Sequence, residues 1–472
     1  MQSPPHQRAL QLDPQSLSQW ILGRLPECAI FTVGVLLRLT MTWRFDATWG
    51  YDALAHWAYV EQIFRHASLP HCADNHLAFH PPLYHAVAAG LAKLGASHQD
   101  IIWLSVGCGV IRLGLIWLGL ERYLQRRSAR IFALALAAVL PASVHIDGTV
   151  SNEVMNGTLA AAAMLLWVRA FRAIGRSRWY LVCALGLALG LGMLSKASEV
   201  ILLAAFGAGL LLDLLLPLKS VDWQTRLRSL TPWAATLAIC VAIAGWFYMR
   251  NVAQGHNLFD TSYEIAPDQM RHTAANTPYL HRRPVNFVAG WDWSIYWWPY
   301  WPSGADPRAR FFPVALASTF VDYYNHGFSG LHPDQQSALM ANGRPMTARL
   351  VWLSRGAVFG GSVILLATLA AWAVCLLRTF QRRDWGLFPL LLIPLLATIV
   401  ALAFAVKYPY DAQGVVKGVY IQFGAPPLYA MFGVSVGWAA SSRRRWVVLA
   451  ILLLGLGAVA AYTFCCRTGL LL

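Results

Sequence analysis

Charged residues are scarce in this chain of 472 residues, where only 12% are Asp, Glu, Lys or Arg. A soluble domain carries about 25% charged residues, whereas 57% of this chain is hydrophobic. Uncharged apolar runs recur from end to end and leave no room for a large water-soluble unit. The composition therefore excludes a cytosolic enzyme and a nucleic-acid-binding protein, and it predicts an all-α polytopic membrane protein.

Several other signals are also missing. The eight cysteines are dispersed without metal-ligand spacing, and the sequence has no Asp-x-Asp motif, internal repeat or low-complexity tract. We therefore expect no obligatory metal or other cofactor, although the sequence does not exclude a divalent ion. The first 25 residues lack the apolar core and cleavage site of a signal peptide, so we expect a cytoplasmic tail at 1–25 followed by an uncleaved first helix.

Apolar runs close to the roughly 20 residues that cross a bilayer occur eleven times. They lie near 26–43, 101–120, 131–146, 154–171, 180–195, 199–216, 231–249, 350–377, 385–406, 422–440 and 446–464. The sequence thus predicts about eleven transmembrane helices.

The net charge of +15 comes from basic residues in short connections. Nineteen of them lie in the tail and between alternate runs: Arg8, Arg24, Arg122, Arg126, Arg127, Arg130, Arg169, Arg172, Arg176, Arg178, Lys219, Arg226, Arg228, Arg378, Arg382, Arg383, Arg443, Arg444 and Arg445. The positive-inside rule assigns these connections and the N-terminus to the cytoplasm. The surplus charge therefore sets the orientation and indicates no anionic partner.

Two segments on the predicted outer side are longer than a connection requires. The first, 44–100, lies within an N-terminal transmembrane module at 26–250; the second forms an aromatic-rich outer loop at 251–349, before the C-terminal helices at 350–472. An apolar stretch at 83–92 is too short to span the membrane. If it did span, the basic clusters Arg122–Arg130 and Arg169–Arg178 would lie on the outer side, against the positive-inside rule. We predict a helix lying on the outer surface there.

The first outer segment also contains an amphipathic pattern from Tyr51 to Phe64. Leu54, Trp57, Val60 and Phe64 recur at spacings of three and four, which is typical of one helix face. Asp52 opens this helix and His56 follows one turn later.

Aromatic residues crowd the second outer segment between Trp291 and Trp301. Such a cluster, beginning with Trp291 and Trp293, fits an interfacial belt, and it equally fits the stacking of rings on the apolar face of a sugar.

Three cations are predicted at the outer ends of different helices, namely Lys196, Arg250 and Lys417. Two carboxylates, Asp52 and Glu153, are predicted at the same level. Asp52 fits a general base or a helix-start residue favoured by the dipole; Lys196 fits a phosphate ligand or a cation that snorkels from an outer turn. Together the cations suit a lipid phosphate or diphosphate, opposite a carboxylate that could act as a base.

The order of short motifs along the chain is distinctive. They are Tyr51-Asp52 with His56, His80-Pro81-Pro82-Leu83-Tyr84-His85, Glu153 at a helix start, Leu194-Ser195-Lys196, Arg250-Asn251 and Lys417-Gly418-Val419-Tyr420. This order resembles the polyprenyl-phosphate-sugar-dependent glycosyltransferases of the GT-C class. The most similar are the bacterial relatives of protein O-mannosyltransferases and of the transferase that adds aminoarabinose to lipid A.

The resemblance implies a GT-C-like fold and a multi-pass enzyme of the bacterial inner membrane. Its donor would be a polyprenyl-phosphate-linked sugar, and its acceptor a glycolipid, polysaccharide or protein of the envelope, reached on the outer face and normally with inversion. Asp52 would be the general base, and Lys196, Arg250 and Lys417 would bind the donor phosphate. Residues near the acceptor or sugar would be Glu153, His56, His80, His85, Trp291 and Trp293.

One departure from the family concerns the first outer loop, where relatives often carry Asp-Glu but Asp52 is followed by Ala53. A second carboxylate, if the reaction needs one, would come from Glu153 or Asp46. Other classes compete with this interpretation. A flippase of lipid-linked sugars would share the cations, but the sequence shows neither inverted repeats nor paired broken helices. A lipid phosphatase or phosphotransferase would show a tight basic signature in one loop, which is missing.

Overall fold

The computed structural model describes residues 23–50, 52–71, 75, 77–216, 222–265, 284–300, 310–323, 348–408 and 416–468. Every regular element within these ranges is helical. Tyr51, most of the N-terminal tail and most of the second outer segment lie outside the described residues.

Seventeen α-helices are present in these ranges. They are α1 Leu25–Arg44, α2 Ala53–His66, α3 Leu83–Lys93, α4 Ile102–Tyr123, α5 Arg127–Val139, α6 Pro141–Ile146, α7 Asn152–Arg172, α8 Gly175–Ser195, α9 Val200–Leu215, α10 Trp223–Ala253, α11 Ser262–Ile265, α12 Pro284–Ala289, α13 Phe311–Phe320, α14 Ala348–Arg382, α15 Phe388–Lys407, α16 Pro426–Ala439 and α17 Trp446–Thr468. Short 3₁₀ segments include Ala197–Glu199, Trp293–Tyr296 and Gly418–Gly424.

Nine helices in the described part of the chain are long and apolar enough to cross a membrane: α1, α4, α7, α8, α9, α10, α14, α15 and α17. The chain is thus a multi-pass membrane protein, but the predicted count of eleven is not confirmed. The two remaining runs, 131–146 and 422–440, are each interrupted. The first divides into α5 and α6 at Leu140, and the second into the 3₁₀ segment Gly418–Gly424 and α16.

Proline accounts for both interruptions, because it cannot donate a backbone hydrogen bond and restricts the residue before it. Pro141 begins α6 after Leu140, which is extended with φ −60° and ψ 120°. Pro426 and Pro427 begin α16. The two interrupted helices also pack on each other, α5 against α16 and α6 against the segment Gly418–Gly424. Neither interruption was predicted from the sequence.

The predicted cytoplasmic connections meet at one end of the helices. Arg24 pairs with Glu121, and Arg127 pairs with Glu27 at 3.2 Å, so the starts of α1 and α5 lie beside the end of α4. Arg126 also donates to the carbonyl oxygen of Gly437 at 2.9 Å. This grouping agrees with the topology predicted from the sequence. The assignment of this end of the helices to the cytoplasm stays a prediction.

The first outer segment folds against the opposite ends of the helices. The 11-residue α3 is shorter than a membrane span. The apolar face predicted for helix α2 turns only partly inward, because Leu54 and Phe64 are exposed whereas Val60 is buried together with His56 and Tyr59. An apolar face turned outward is typical of a helix lying at a membrane surface, and it leaves the polar face for the protein interior.

Close packing of α5 on α16 yields a first prediction. A Cβ at Gly433 would overlap the carbonyl oxygen of Ala129, so Gly433→Ala must push two helices apart. Overpacking of this kind costs about 1–3 kcal/mol, and we expect a lower melting temperature of the purified protein in detergent. Gly457→Ala is the matched control, because nothing lies within 4 Å of a Cβ there. Equal melting temperatures for the two variants would contradict this packing.

Candidate active site

Asp52 and Lys417 form an ion pair although 365 residues separate them. Lys417 Nζ lies 3.2 Å from Asp52 Oδ2, and the lysine side chain is only 2% exposed whereas that of Asp52 is 48% exposed. Asp52 makes no side-chain capping bond to its own helix. Its carboxylate therefore faces a buried cation from a distant segment, which a simple helix-start role does not explain.

Lys417 is held by the segment that follows it. The backbone N–H of Gly418 donates to Ser318 Oγ at 2.8 Å, and Gly418 packs so closely on Thr319 that a side chain would not fit. Helix α13, in the second outer segment, thus fixes the backbone beside Lys417. The site therefore combines both outer segments.

Glu153 and Lys196 form a second ion pair. Ser151 caps α7 by accepting from the backbone N–H of Glu153 at 3.3 Å. Asn152 and Ser195 exchange hydrogen bonds: Asn152 Nδ2 donates to the Ser195 carbonyl oxygen at 3.0 Å, and Ser195 Oγ donates to the Asn152 carbonyl oxygen at 3.2 Å. The start of α7 and the end of α8 are thereby locked together, and this lock sets the pair in place.

Tyr420 joins the two ion pairs. Lys196 Nζ lies 5.0 Å and Lys417 Nζ 5.3 Å from the centroid of its ring, within the range of a cation–π contact. Lys417 and Tyr420 are three residues apart at a 3₁₀ segment, where positions i and i+3 eclipse. The sequence contained the Lys417–Tyr420 motif, but without the 3₁₀ geometry it gave no role to the tyrosine.

Arg250 lies at the end of α10, beside the lock between α7 and α8. It donates to the carbonyl oxygen of Pro70 in the first outer segment, and its guanidinium lies 5.6 Å from the ring centroid of Phe247. Two residues earlier, the Tyr248 hydroxyl donates to the Met193 carbonyl oxygen at 2.9 Å. These contacts bring Arg250 to the neighbourhood of Lys196.

The three predicted histidines pack together inside the first outer segment. His56 Nδ1 lies 2.9 Å from His85 Nε2, and both side chains are buried. The His80 ring stacks 6.2 Å from that of His56, and the Tyr59 hydroxyl donates to the His80 carbonyl oxygen at 3.3 Å. Burial, and then the neighbouring His56, hold the pKa of His85 well below its usual value. The histidines therefore support α2 one turn after Asp52.

Trp291 and Trp293 lie in a different environment. Trp293 stacks on Tyr296 with centroids 6.0 Å apart, and Tyr296 packs on Phe359 of α14 at 4.6 Å. Both tryptophans are exposed. The described contacts of these tryptophans lead to α14. The two ion pairs instead involve residues at the ends of α2, α7 and α8.

A metal site is not evident in the described residues, where no group of three or more His, Cys, Asp or Glu side chains is arranged to hold an ion. Asp46, the other candidate for a second carboxylate, accepts from the backbone and hydroxyl of Thr48 at 2.8 and 2.7 Å. Glu153 is the carboxylate that accompanies Asp52 in the cluster. The arrangement can bind an anion through two lysines and can accept a proton at a carboxylate.

Residues 79–248, roughly a third of the chain, match the family model of dolichyl-phosphate-mannose-protein mannosyltransferases. Over this stretch the chain resembles membrane glycosyltransferases of the GT-C class. The match contains Glu153 and Lys196 but ends before Arg250 and Lys417, and it begins after Asp52. No curated protein sequence matches the chain.

Two solved structures of ArnT from Cupriavidus metallidurans align with most of the chain. ArnT bound to undecaprenyl phosphate shares 16% identity over 90% of this chain and 79% of that one, with a TM-score of 0.39. The same protein in the apo state shares 15% identity over 94% and 78%, with a TM-score of 0.38.

The histidine pair predicts a loss of stability in acid. The folded protein keeps His85 neutral, whereas an unfolded histidine takes up a proton near pH 6.5. The unfolded state then binds more protons, so stability falls as the pH drops below about 6.5. We expect the melting temperature to fall between pH 7.5 and 5.5, and to fall less in His85→Gln. His66→Gln, at an exposed position on α2, is the control; an equal fall in all three proteins would refute the assignment.

Proposed function

We propose that this protein is an integral-membrane glycosyltransferase. It transfers a sugar from a polyprenyl-phosphate-linked donor to an acceptor hydroxyl on the outer face of the bacterial cytoplasmic membrane, with inversion and with Asp52 as the general base. The observation that carries the proposal is the pair of lysine–carboxylate contacts that share Tyr420. The family match over residues 79–248 supports the reaction class.

The leaving group explains why two lysines are needed. When the bond from the anomeric carbon to the phosphate oxygen breaks, its electron pair stays on the phosphate, which gains one negative charge. Preorganised cations that face this developing charge lower the barrier more than a general acid would. Lys196 and Lys417 are suited to this task, and Arg250 completes the phosphate site from the end of α10.

The acceptor oxygen attacks the opposite side of the anomeric carbon. Asp52 removes the proton of the acceptor hydroxyl as the new carbon–oxygen bond forms, and the single displacement inverts the anomeric configuration. Asp52 is suited to this role because its carboxylate is half exposed while its partner Lys417 is buried. Glu153 would orient the acceptor or the sugar.

The donor phosphate has to compete with the carboxylates for the lysines. A phosphate between Lys196 and Lys417 would weaken both existing ion pairs, because each ammonium would then share its hydrogen bonds. The weaker contact with Lys417 would make the Asp52 carboxylate a better proton acceptor at the moment when the donor is bound. This exchange favours binding of the donor before the acceptor.

The other predicted residues take supporting roles in the proposal. His56, His80 and His85 fix the start of α2, and we assign them to the acceptor side of the site. Trp291 and Trp293 would approach an acceptor from the side of α14. We assign the site to the outer side of the membrane because the basic connections lie at the other end of the helices. The positive-inside rule assigns those connections and the N-terminus to the cytoplasm. The acceptor is an envelope glycolipid, polysaccharide or protein.

A flippase of lipid-linked sugars is the second candidate, and one observation favours it. The interrupted helices pack on each other, as broken helices do in many transporters. Reconstitution into liposomes separates the two functions. Movement of a lipid-linked sugar across the bilayer without a glycosylated product would favour the flippase and overturn our proposal.

Replacement of the proposed base should abolish transfer. Asp52→Asn keeps the size of the side chain and tolerates the left-handed backbone at this position, where φ is 57°, but it cannot take up a proton. Loss of a general base costs about 10²- to 10⁴-fold in rate. We expect this loss in the transfer of sugar from a polyprenyl-phosphate donor per folded molecule. The folded fraction is taken from the melting curve, because the variant also loses the charge that pairs with Lys417.

The matched control for that variant is Glu61→Gln on α2, because the salt bridge that Glu61 forms within the described residues is to the exposed Arg65 in the same helix. It should keep wild-type transfer. Undiminished transfer by Asp52→Asn would eliminate Asp52 as the base. Absence of transfer by the wild-type protein with every envelope acceptor would count against the reaction class.

Tyr420 supplies a prediction of its own. Tyr420→Phe keeps the ring face beside both ammonium groups, whereas Tyr420→Leu removes it. Cation–π contacts contribute about 0.5–2 kcal/mol each, so Tyr420→Leu should weaken the binding of undecaprenyl phosphate by roughly tenfold and Tyr420→Phe should leave it nearly unchanged. Titration of the ligand against the purified variants measures this, and equal affinities for Phe and Leu would exclude a cation–π role.

A further inference from the structure

We propose that Arg38, Arg112 and Asp147 form a buried positioning device that sets the geometry of both ion pairs in the site. This inference rests on the proposed function, because it identifies what holds those residues in register. The three side chains belong to α1, α4 and the turn after α6, and none of them is more than 4% exposed. They carry two positive charges and one negative charge.

The geometry leaves each carboxylate oxygen of Asp147 with its own arginine. Arg38 Nε donates to Oδ2 at 2.7 Å, and an Arg112 terminal nitrogen donates to Oδ1 at 2.6 Å. The same Arg112 nitrogen reaches Ser143 Oγ at 2.7 Å. Removing one partner from a buried charge pair leaves an uncompensated charge and is strongly destabilising, so the position of Asp147 is strongly determined.

Asp147 begins the turn that leads to Glu153. The next residues pack against the chain that precedes Asp52: Gly50, with φ +105°, lies so close to Thr149 that a Cβ on it would come within 2.6 Å of Thr149 Cγ2. Ser151 then caps α7 beside Glu153. A displacement of Asp147 would therefore move both the backbone at Glu153 and the approach to Asp52.

A second connection reaches Lys417. Helix α6, which ends one residue before Asp147, packs against the segment Gly418–Gly424. Within that segment Gln422 Nε2 donates to the Gly418 carbonyl oxygen at 3.1 Å, and Gln422 Oε1 accepts from the Tyr429 hydroxyl at 3.2 Å. The turn that begins at Asp147 thus positions the carboxylates of Asp52 and Glu153. Through α6 it also supports Lys417, which pairs with Asp52.

Two glycines make room for the device. A Cβ at Gly109 on α4 would overlap the Asp147 carboxyl group, and a Cβ at Gly157 on α7 would lie 2.7 Å from an Arg112 terminal nitrogen. Neither glycine needs an unusual backbone angle in its helix. Their value lies in the missing side chain, so a single methyl group can shift Asp147 without changing any charge.

Gly109→Ala in the full-length protein tests the inference, with Gly107→Ala as the matched control on the same helix, where nothing lies within 4 Å of a Cβ. We expect Gly109→Ala to lower kcat by about tenfold or more, since an ångström of misplacement in a site can cost up to about 100-fold. The KM for the lipid-linked donor should rise, whereas Gly107→Ala should leave both constants unchanged. The melting temperature of each variant gives its folded fraction.

The kinetic constants separate positioning from simple stabilisation. A purely structural role would reduce the amount of folded enzyme and leave the donor KM and the kcat per folded molecule at their wild-type values; that result would overturn the inference. If Gly109→Ala does not fold, Ser143→Ala removes one Arg112 partner without adding volume and should give the same kinetic change. If the wild-type protein transfers no sugar, the proposed function fails. The affinity of each variant for undecaprenyl phosphate then tests the inference by itself: weaker binding by Gly109→Ala but not by Gly107→Ala supports a positioning role of Asp147 and its two arginines.

Discussion

Every buried backbone group needs a hydrogen-bond partner. In this protein that constraint matters most at the break between α5 and α6. Pro141 has no N–H, so the carbonyl oxygen of Ala137 loses its helical donor. Arg38 donates to it at 3.3 Å and to the next carbonyl, that of Ala138, at 3.1 Å. Thr463 Oγ1, from α17, donates to the carbonyl oxygen of Val139 at 2.7 Å. Such a break is tolerated among apolar helices only where side chains replace the missing donors.

The break determines where the chemistry can be. Because α6 turns away from α5, the chain from Asp147 to Asn152 runs as a loop instead of a continuous span, and α7 can begin with an acid at its N-terminus. The second interrupted helix does the same for Lys417. The charged residues of the candidate site therefore stand at the ends of elements, where charge is less costly than in the middle of an apolar helix. Arg38 donates both to the carbonyl oxygens at the break and to the carboxylate of Asp147. One side chain therefore stabilises the interruption of the helix and the turn that leads to Glu153.

The sequence supports the broad architecture because composition and run length depend little on tertiary contacts. It also singled out Asp52, Glu153, Lys196 and Lys417, since a charge beside an apolar run is rare enough to be informative. It missed the interruption at Leu140 because the run 131–146 contains no Asp, Glu, Lys or Arg, and a proline inside such a run kinks some helices and divides others. Whether it divides them depends on Arg38, which is 100 residues from the carbonyl that it caps.

Other differences have the same origin. Periodicity alone identified an apolar face on α2, but it could not tell whether that face turns toward protein or lipid. The structure turns Leu54 outward and His56 inward, because His56 finds a partner in His85. Tyr420 escaped notice because its position between two lysines depends on a 3₁₀ turn and on the end of α8. Pairings across hundreds of residues leave no local pattern in a sequence.

The backbone at Asp52 shows how narrowly the site restricts residue type. Its φ of 57° is left-handed, a conformation that costs most residues about 1–2 kcal/mol. The cost persists because the turn that follows Asp52 is fixed: Ala53 is buried, and the His56 backbone N–H donates to the Asp52 carbonyl oxygen at 2.9 Å. Glycine, asparagine and aspartate tolerate this conformation best, and of these only aspartate carries the negative charge that balances the buried Lys417. Local strain and a buried cation thus select the same residue, which is the pattern expected where backbone strain serves a functional site.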